Sequence, residues 1–204
     1  MKILIIGGNG TIGKKVTEAL SRKHEILVAG KNSGDIKMNL SDSASIKKMF
    51  EQSGKLDAII CIAGEAKWDK FDLLTEEDFY IGIKSKMMGQ VNVVRIGKDY
   101  LNKNGSITLT TGILADHPVN MTTSAAMVNG AIHSFVKAAA LELRNGARIN
   151  AVSSDLVEDS FEKYKDYFPG HKPVPMQQVI NAYTALLEGK MNGEIARLGY
   201  SNDK

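Results

Sequence analysis

Residues 2–13, KILIIGGNGTIG, decide the fold. The apolar β-type run Ile3, Leu4, Ile5 and Ile6 passes directly into Gly7, Gly8, Gly10 and Gly13, and then into a polar helical pattern. A strand, a tight glycine turn and a helix N-terminus in that order hold a diphosphate. Glycine lacks the Cβ that would block close approach, and the free N–H groups of the first helical turn meet the anion. Gly7, Asn9, Gly10, Thr11, Ile12 and Gly13 are therefore candidate cofactor-binding residues. An ordinary strand-to-helix turn shares the glycine spacing; the strand before it and the helix after it favour the nucleotide reading. The sequence contains no GxxxxGK[ST] segment, which argues against a nucleoside-triphosphatase loop.

The 204 residues fit one domain, read as spanning 1–204, with enough chain to bury a core without disulfides or metal. The single cysteine, Cys61, excludes an intrachain disulfide. No apolar run reaches the length of a membrane span, and the first strand is too glycine-interrupted for a signal peptide. These features predict a cytoplasmic protein with no membrane partner. A net charge of +3, with scattered lysines, predicts no nucleic-acid partner. No metal site is expected.

Short β-type runs alternate with longer amphipathic stretches, the pattern of a parallel sheet covered by helices on both faces. The pattern predicts strands over 2–6, 25–29, 58–62, 106–110, 148–152 and 195–198, and helices over 11–21, 43–52, 76–101, 124–144 and 176–188. Thr75 with Asp78 resembles a capping box, and Pro175 suits a first helical turn. The stretch Glu158 to Pro175, rich in Tyr, Phe, Pro and Gly, reads either as a lid or as a packed surface segment.

Ligands of such sheets lie beyond the carboxyl ends of the strands. After the second strand come Gly30, Lys31, Asn32 and Ser33, with no carboxylate to bond the ribose hydroxyls of NAD and with the Lys31 ammonium available to a 2′-phosphate. That predicts NADP(H) in preference to NAD(H). Asn39 is placed to bond an adenine edge, and Ala63 and Gly64 are small enough to let main chain approach a cofactor.

The order of these motifs resembles the short-chain dehydrogenase/reductase superfamily almost end to end. GGNGTIG, AGK, MNLSD, CIAG, GSITLTTG, AAALEL and ARINAVSSDLV follow one another as the corresponding family segments do. The resemblance implies a Rossmann-like doubly wound parallel sheet and an oxidoreductase that moves a hydride between a dinucleotide and a small carbonyl or alcohol. It also implies a homodimer or homotetramer, formed through the helices over 76–101 and 124–143.

The same resemblance implies altered chemistry. The family's catalytic tyrosine lies seventeen residues before the glutamate of the AxEL segment, which is Ala125 here, and the lysine four residues later is Asn129. The serine position falls on Gly112, beside Thr111, and the helix asparagine falls on Lys86. The chain is similar to a subgroup of short bacterial members that carry SAAxxNGA in place of YxxxK, here SAAMVNGA over 124–131. A tyrosine whose phenol is tuned by lysine normally gives the proton, and losing such an acid costs about a hundredfold to ten-thousandfold in rate.

Lys86 and Thr111 are the candidate catalytic residues. A lysine pushed toward the nicotinamide pocket would have a lowered pKa and could act as the acid, and Thr111 could bond a substrate oxygen. Asp116 and His117 fall in a loop near the pocket, Ser124 and Asn129 read as capping or water-bonding residues, and His133 reads as facing a partner helix. Cys61 reads as a buried strand residue. Two functions follow: a reductase with an unusual proton donor or, alternatively, a catalytically inactive NADP(H)-binding or sensing protein acting through a partner.

Overall fold

Consecutive side chains of a strand face opposite ways, and β1 (Lys2–Ile6) buries both sets in the computed structural model, which describes residues 1–200. Ile3 and Ile5 cluster with Val16, Leu20, Val179 and Tyr183 on one side, while Leu4 and Ile6 cluster with Phe50, Val93 and Ile132 on the other. A strand covered on both faces has to be continuously apolar. That is the physical reason for the run KILII.

The elements that follow are α1 (Thr11–Ser21), β2 (Glu25–Gly30), β3 (Ile36–Lys37), α2 (Ser43–Ser53), β4 (Leu56–Cys61), α3 (Glu76–Gly82), α4 (Met88–Gly97), β5 (Leu101–Gly112), α5 (Thr123–Glu142), β6 (Arg148–Ser154), α6 (Glu158–Tyr164), α7 (Met176–Glu188) and β7 (Ile195–Leu198). The strands form a seven-stranded sheet in the order β3-β2-β1-β4-β5-β6-β7, with each neighbouring pair parallel. Helices α1 and α7 cover one face, and α2, α4 and α5 cover the other. This is the Rossmann-like doubly wound architecture. Strand order reverses between β1 and β4, which opens a crevice at their carboxyl ends.

Three local differences from the sequence expectation have physical causes. The two-residue β3 is too short to show any alternation. The single helix expected over 76–101 is α3, a π-helical turn at Ile83–Met87, and α4 ending at Gly97. Tyr100 and Leu101 continue the helical spacing of apolar residues, but Tyr100 is held by its ring stacking on Phe50 at 5.3 Å, and Leu101 already belongs to β5. β5 therefore starts earlier than predicted, with its register against β4 shifting near Leu56 and Ala58.

The Thr75–Asp78 capping box is present: Asp78 N donates to Thr75 Oγ1 at 3.3 Å and Thr75 N donates to Asp78 Oδ2 at 3.1 Å. Pro175 stands just before α7 rather than inside its first turn. The 158–175 stretch holds α6 and a 3-10 turn at Lys165–Tyr167, and Phe168 and Val174 are buried. Its ends are fastened by a Val157–Val174 bridge and by Met176 N donating to Glu158 Oε1 at 2.8 Å. Among the described residues, no helix is long and apolar enough to cross a membrane.

Candidate functional site

The glycine turn is built by close main-chain contacts. Gly7 has φ 83°, in the left-handed region that favours glycine, and a Cβ there would stand 2.6 Å from Ile62 O. Gly7 N donates to Ala29 O at 2.7 Å, and Gly10 N donates to Gly7 O at 3.0 Å. A Cβ on Gly13 would run into the Gly7 carbonyl oxygen, so α1 starts pressed against the turn. Gly10 caps α1 with no side-chain hydrogen bond, and the first turn holds no acidic residue. The N–H groups of Thr11, Ile12 and Gly13 have no partner within the helix, and the positive end of the helix dipole is left uncompensated.

These groups open on a cavity of about 700 Å³. Of the residues singled out from sequence, Gly10, Thr11, Ile12, Gly13, Ala63, Gly64, Lys86 and Thr111 line it. Gly7 supports the turn beneath. Asn9, Lys31, Asn32, Ser33 and Asn39 are not among the cavity-lining residues and are all exposed. Asn9 Nδ2 donates to Ser33 Oγ at 2.9 Å, joining the glycine turn to the loop after β2. Asn39 Oδ1 accepts from Ser41 N at 3.1 Å in a local turn.

Lys86 reaches the cavity because the chain bulges there. Gly64 has φ 121°, and a Cβ on it would lie 2.8 Å from Lys86 Cα, so the β4 loop and the π-helical turn touch through main chain. π-Helical turns of this kind recur at functional sites. The Lys86 side chain is half-buried, and desolvation pushes its pKa down to about 8. At neutral pH it is still an ammonium and is able to give up a proton. Burial pushes the Cys61 thiol up to about 11, consistent with a packed strand residue and not a nucleophile.

Gln90, unremarked in the sequence reading, holds the cavity floor. β4 last pairs with β5 at Ile60 and Thr108, and the fully buried Gln90 amide serves the main chain beyond. Its Nε2 donates to Ala63 O at 3.2 Å and to Thr110 O at 2.9 Å, and its Oε1 accepts from Thr110 N at 3.3 Å. The available signal was a lone amide among Gly89, Val93, Val94 and Gly97 on one helix face. Gln90→Leu strips these partners, and each buried group left unpaired costs about 1–3 kcal/mol. The expected loss is roughly 2–4 kcal/mol, read as a lowered urea midpoint. An unchanged midpoint would contradict the clamp.

Ala125 and Asn129 both border the cavity on α5. Asn129 Nδ2 donates to Ala125 O at 2.8 Å, while Asn129 Oδ1 and the Ser124 hydroxyl are buried without a partner among the described residues. Buried polar atoms are nearly always paired, so an unpaired acceptor on a cavity wall suits a ligand donor. Neither residue caps the helix; Thr122 holds that position.

His133 does not face a partner helix, as the sequence suggested. Its Nε2 lies 2.8 Å from the Thr111 hydroxyl and its Nδ1 3.8 Å from Asp116 Oδ2. Burial lowers the His133 pKa, and the Arg197 guanidinium, donating to Asp116 at 2.9 Å, holds that carboxyl below its usual range. The network joins the end of β5 to α5 and β7, a set of long-range contacts with no local sequence signature.

Residues 7–183 match the family model described as enoyl-(acyl carrier protein) reductase. The chain belongs to the short-chain dehydrogenase/reductase superfamily. It is 31% identical over 130 residues to 1,2-dihydroxy-1,2-dihydronaphthalene dehydrogenase of Pseudomonas putida, covering 59% of this chain and 48% of that protein. The chain thus spans about half the length of that relative. It is 25% identical to the uncharacterized oxidoreductase YmfI of Bacillus subtilis strain 168, covering 92% of this chain and 91% of that one. Among solved structures, the protein lin1944 from Listeria innocua is 44% identical with a TM-score of 0.95, covering 97% of this chain and 98% of that one. A small-chain dehydrogenase in complex with NADPH is 27% identical with a TM-score of 0.85, covering 97% and 95%.

Proposed function

We propose that this short-chain dehydrogenase/reductase is one nucleotide-binding unit that uses NADP(H), in preference to NAD(H), to reduce a carbonyl compound, with Lys86 giving the proton in place of the tyrosine–lysine pair. The observation that carries the reading is an ammonium of lowered pKa on the same cavity as an uncapped helix N-terminus. The first-turn N–H groups of Thr11, Ile12 and Gly13 suit the diphosphate. Asn129 Oδ1 suits a ligand hydroxyl. Lys31, with Asn32 and Ser33, suits a 2′-phosphate, and Asn39 an adenine edge. The NADPH complex of a 27% identical relative supports the choice of cofactor.

When bound, NADPH supplies the hydride. Lys86 stabilises the charge that grows on the carbonyl oxygen and protonates it, and the Thr111 hydroxyl, backed by His133, orients that oxygen. We read the exposed Met88, Met127 and Leu141 on α4 and α5 as the face of a homodimer or homotetramer, and the single buried Cys61 as suited to a reducing cytoplasm.

Carbonyl-dependent consumption of NADPH tests the reaction, and its absence over a broad aldehyde and ketone panel would contradict it. The cofactor choice has its own test. Lys31→Ala should weaken NADPH binding about tenfold, the scale of one lost charge-assisted hydrogen bond, and leave NADH binding unchanged. Equal losses for both dinucleotides would remove Lys31 from the phosphate site.

A further inference from the structure

The cavity wall beyond the glycine turn is aromatic. Trp68, from the loop after β4, meets three rings that follow β6: Tyr164 at 5.7 Å, Tyr167 at 5.7 Å with its plane turned 76°, and Phe168 at 6.1 Å. All four line the cavity, together with the apolar side chains of Ile113, Leu114, Leu156 and Val157. The three rings after β6 stand on a fastened segment. Asp155, just after β6, is bonded to His171 Nδ1 at 2.7 Å, and the Phe168 ring packs against the His171 ring at 5.3 Å. A wall that is already in place spends little entropy on closing over a ligand.

Charge on the lining is sparse. The Asp155 carboxylate is engaged by His171 and by Leu156 N at 2.7 Å, and Glu65 is exposed. Lys86 is the cation among the lining residues, and no arginine stands beside it to take the second oxygen of a carboxylate. The lining therefore offers one cationic anchor, Lys86, facing an apolar, largely aromatic wall.

We infer that the substrate is an uncharged aryl ketone or aldehyde, its ring against the wall formed by Trp68, Tyr164, Tyr167 and Phe168 and its carbonyl oxygen at Lys86. This rests on the reductase reading above. Ring pairs in tilted or edge-on contact gain affinity beyond the area they bury, roughly twofold to tenfold for each contact. A saturated ring of the same size gains only the area.

Trp68 is the only tryptophan in the chain, so its fluorescence reports on this wall without any turnover. The full chain is titrated with acetophenone, cyclohexyl methyl ketone and pyruvate, with and without saturating NADP+, which cannot reduce them. Acetophenone should quench Trp68 saturably, with a Kd about tenfold below that of cyclohexyl methyl ketone, and pyruvate should not bind. Tyr167→Ala, at a residue 40% exposed and so safe for folding, should shrink that preference to about threefold or less. Equal binding of the two ketones, tighter binding of pyruvate, or no ketone binding on protein that still binds NADPH would overturn the aryl assignment while leaving the cofactor reading intact. Selective acetophenone binding on protein that binds neither NADPH nor NADP+ would overturn the reductase reading and the substrate role with it.

Discussion

Lys86→Met should raise the melting temperature while cutting carbonyl-dependent NADPH consumption at least a hundredfold. The two effects share one cause. The unfolded chain holds the Lys86 proton up to the ordinary lysine value of 10.5, whereas the folded chain gives it up at about 8. Between those values the unfolded state binds more protons, so stability rises with pH across that window, and below about 8 the full cost of the half-buried ammonium is present. The full shift corresponds to about 3 kcal/mol at 1.36 kcal/mol per unit, and the water that a half-buried ammonium keeps reduces this to about 2. For a chain of this size that is roughly 4–8 °C.

Activity moves the other way, because the ammonium that costs stability is the proton donor. Turnover in the unmodified protein should hold below pH 8 and fall as the pH passes about 8, where the ammonium is lost. Residual turnover of Lys86→Met should lack that fall. Thermal melts and a pH profile on the same preparations check both halves. A lowered melting temperature together with unchanged turnover would remove Lys86 from the site.

Gly13→Val should abolish dinucleotide binding, by more than a hundredfold, through backbone displacement. The new side chain would start inside the contact between α1 and the Gly7 carbonyl, and neither partner is a flexible side chain that can swing away. The helix start has to move off the turn, and the N–H groups of Thr11 and Ile12 move with it. Calorimetric titration with NADPH reads the loss, and circular dichroism checks that the sheet survives. Binding within threefold of the unmodified protein would mean that the turn does not hold the ligand.

Much of the scaffold was legible because its forces are local or repetitive. KILII reads as a strand since both its faces are buried, and Gly7 and Gly13 stand where a side chain would strike main chain. Beyond the glycine turn and the small residues after β4, the site was legible only where family spacing could be counted, as at Lys86, Ala125 and Asn129. What counting cannot supply is environment. The burial of Lys86 follows from a π-helical bulge against Gly64, and the partners of His133 come from β5 and the residues after it. Gln90 matters because β4 stops pairing with β5 two residues short of Thr110, a fact about register between distant segments. The aromatic wall likewise joins Trp68 to rings that lie beyond β6.

The proposed cofactor site requires that the start of α1, which has no side-chain cap, grip a dinucleotide's diphosphate. Calorimetric titration of NADPH and NADH into the unmodified protein tests this most directly. One saturable site, tighter for NADPH, is the predicted result; no saturable heat with either, on folded protein, would contradict it.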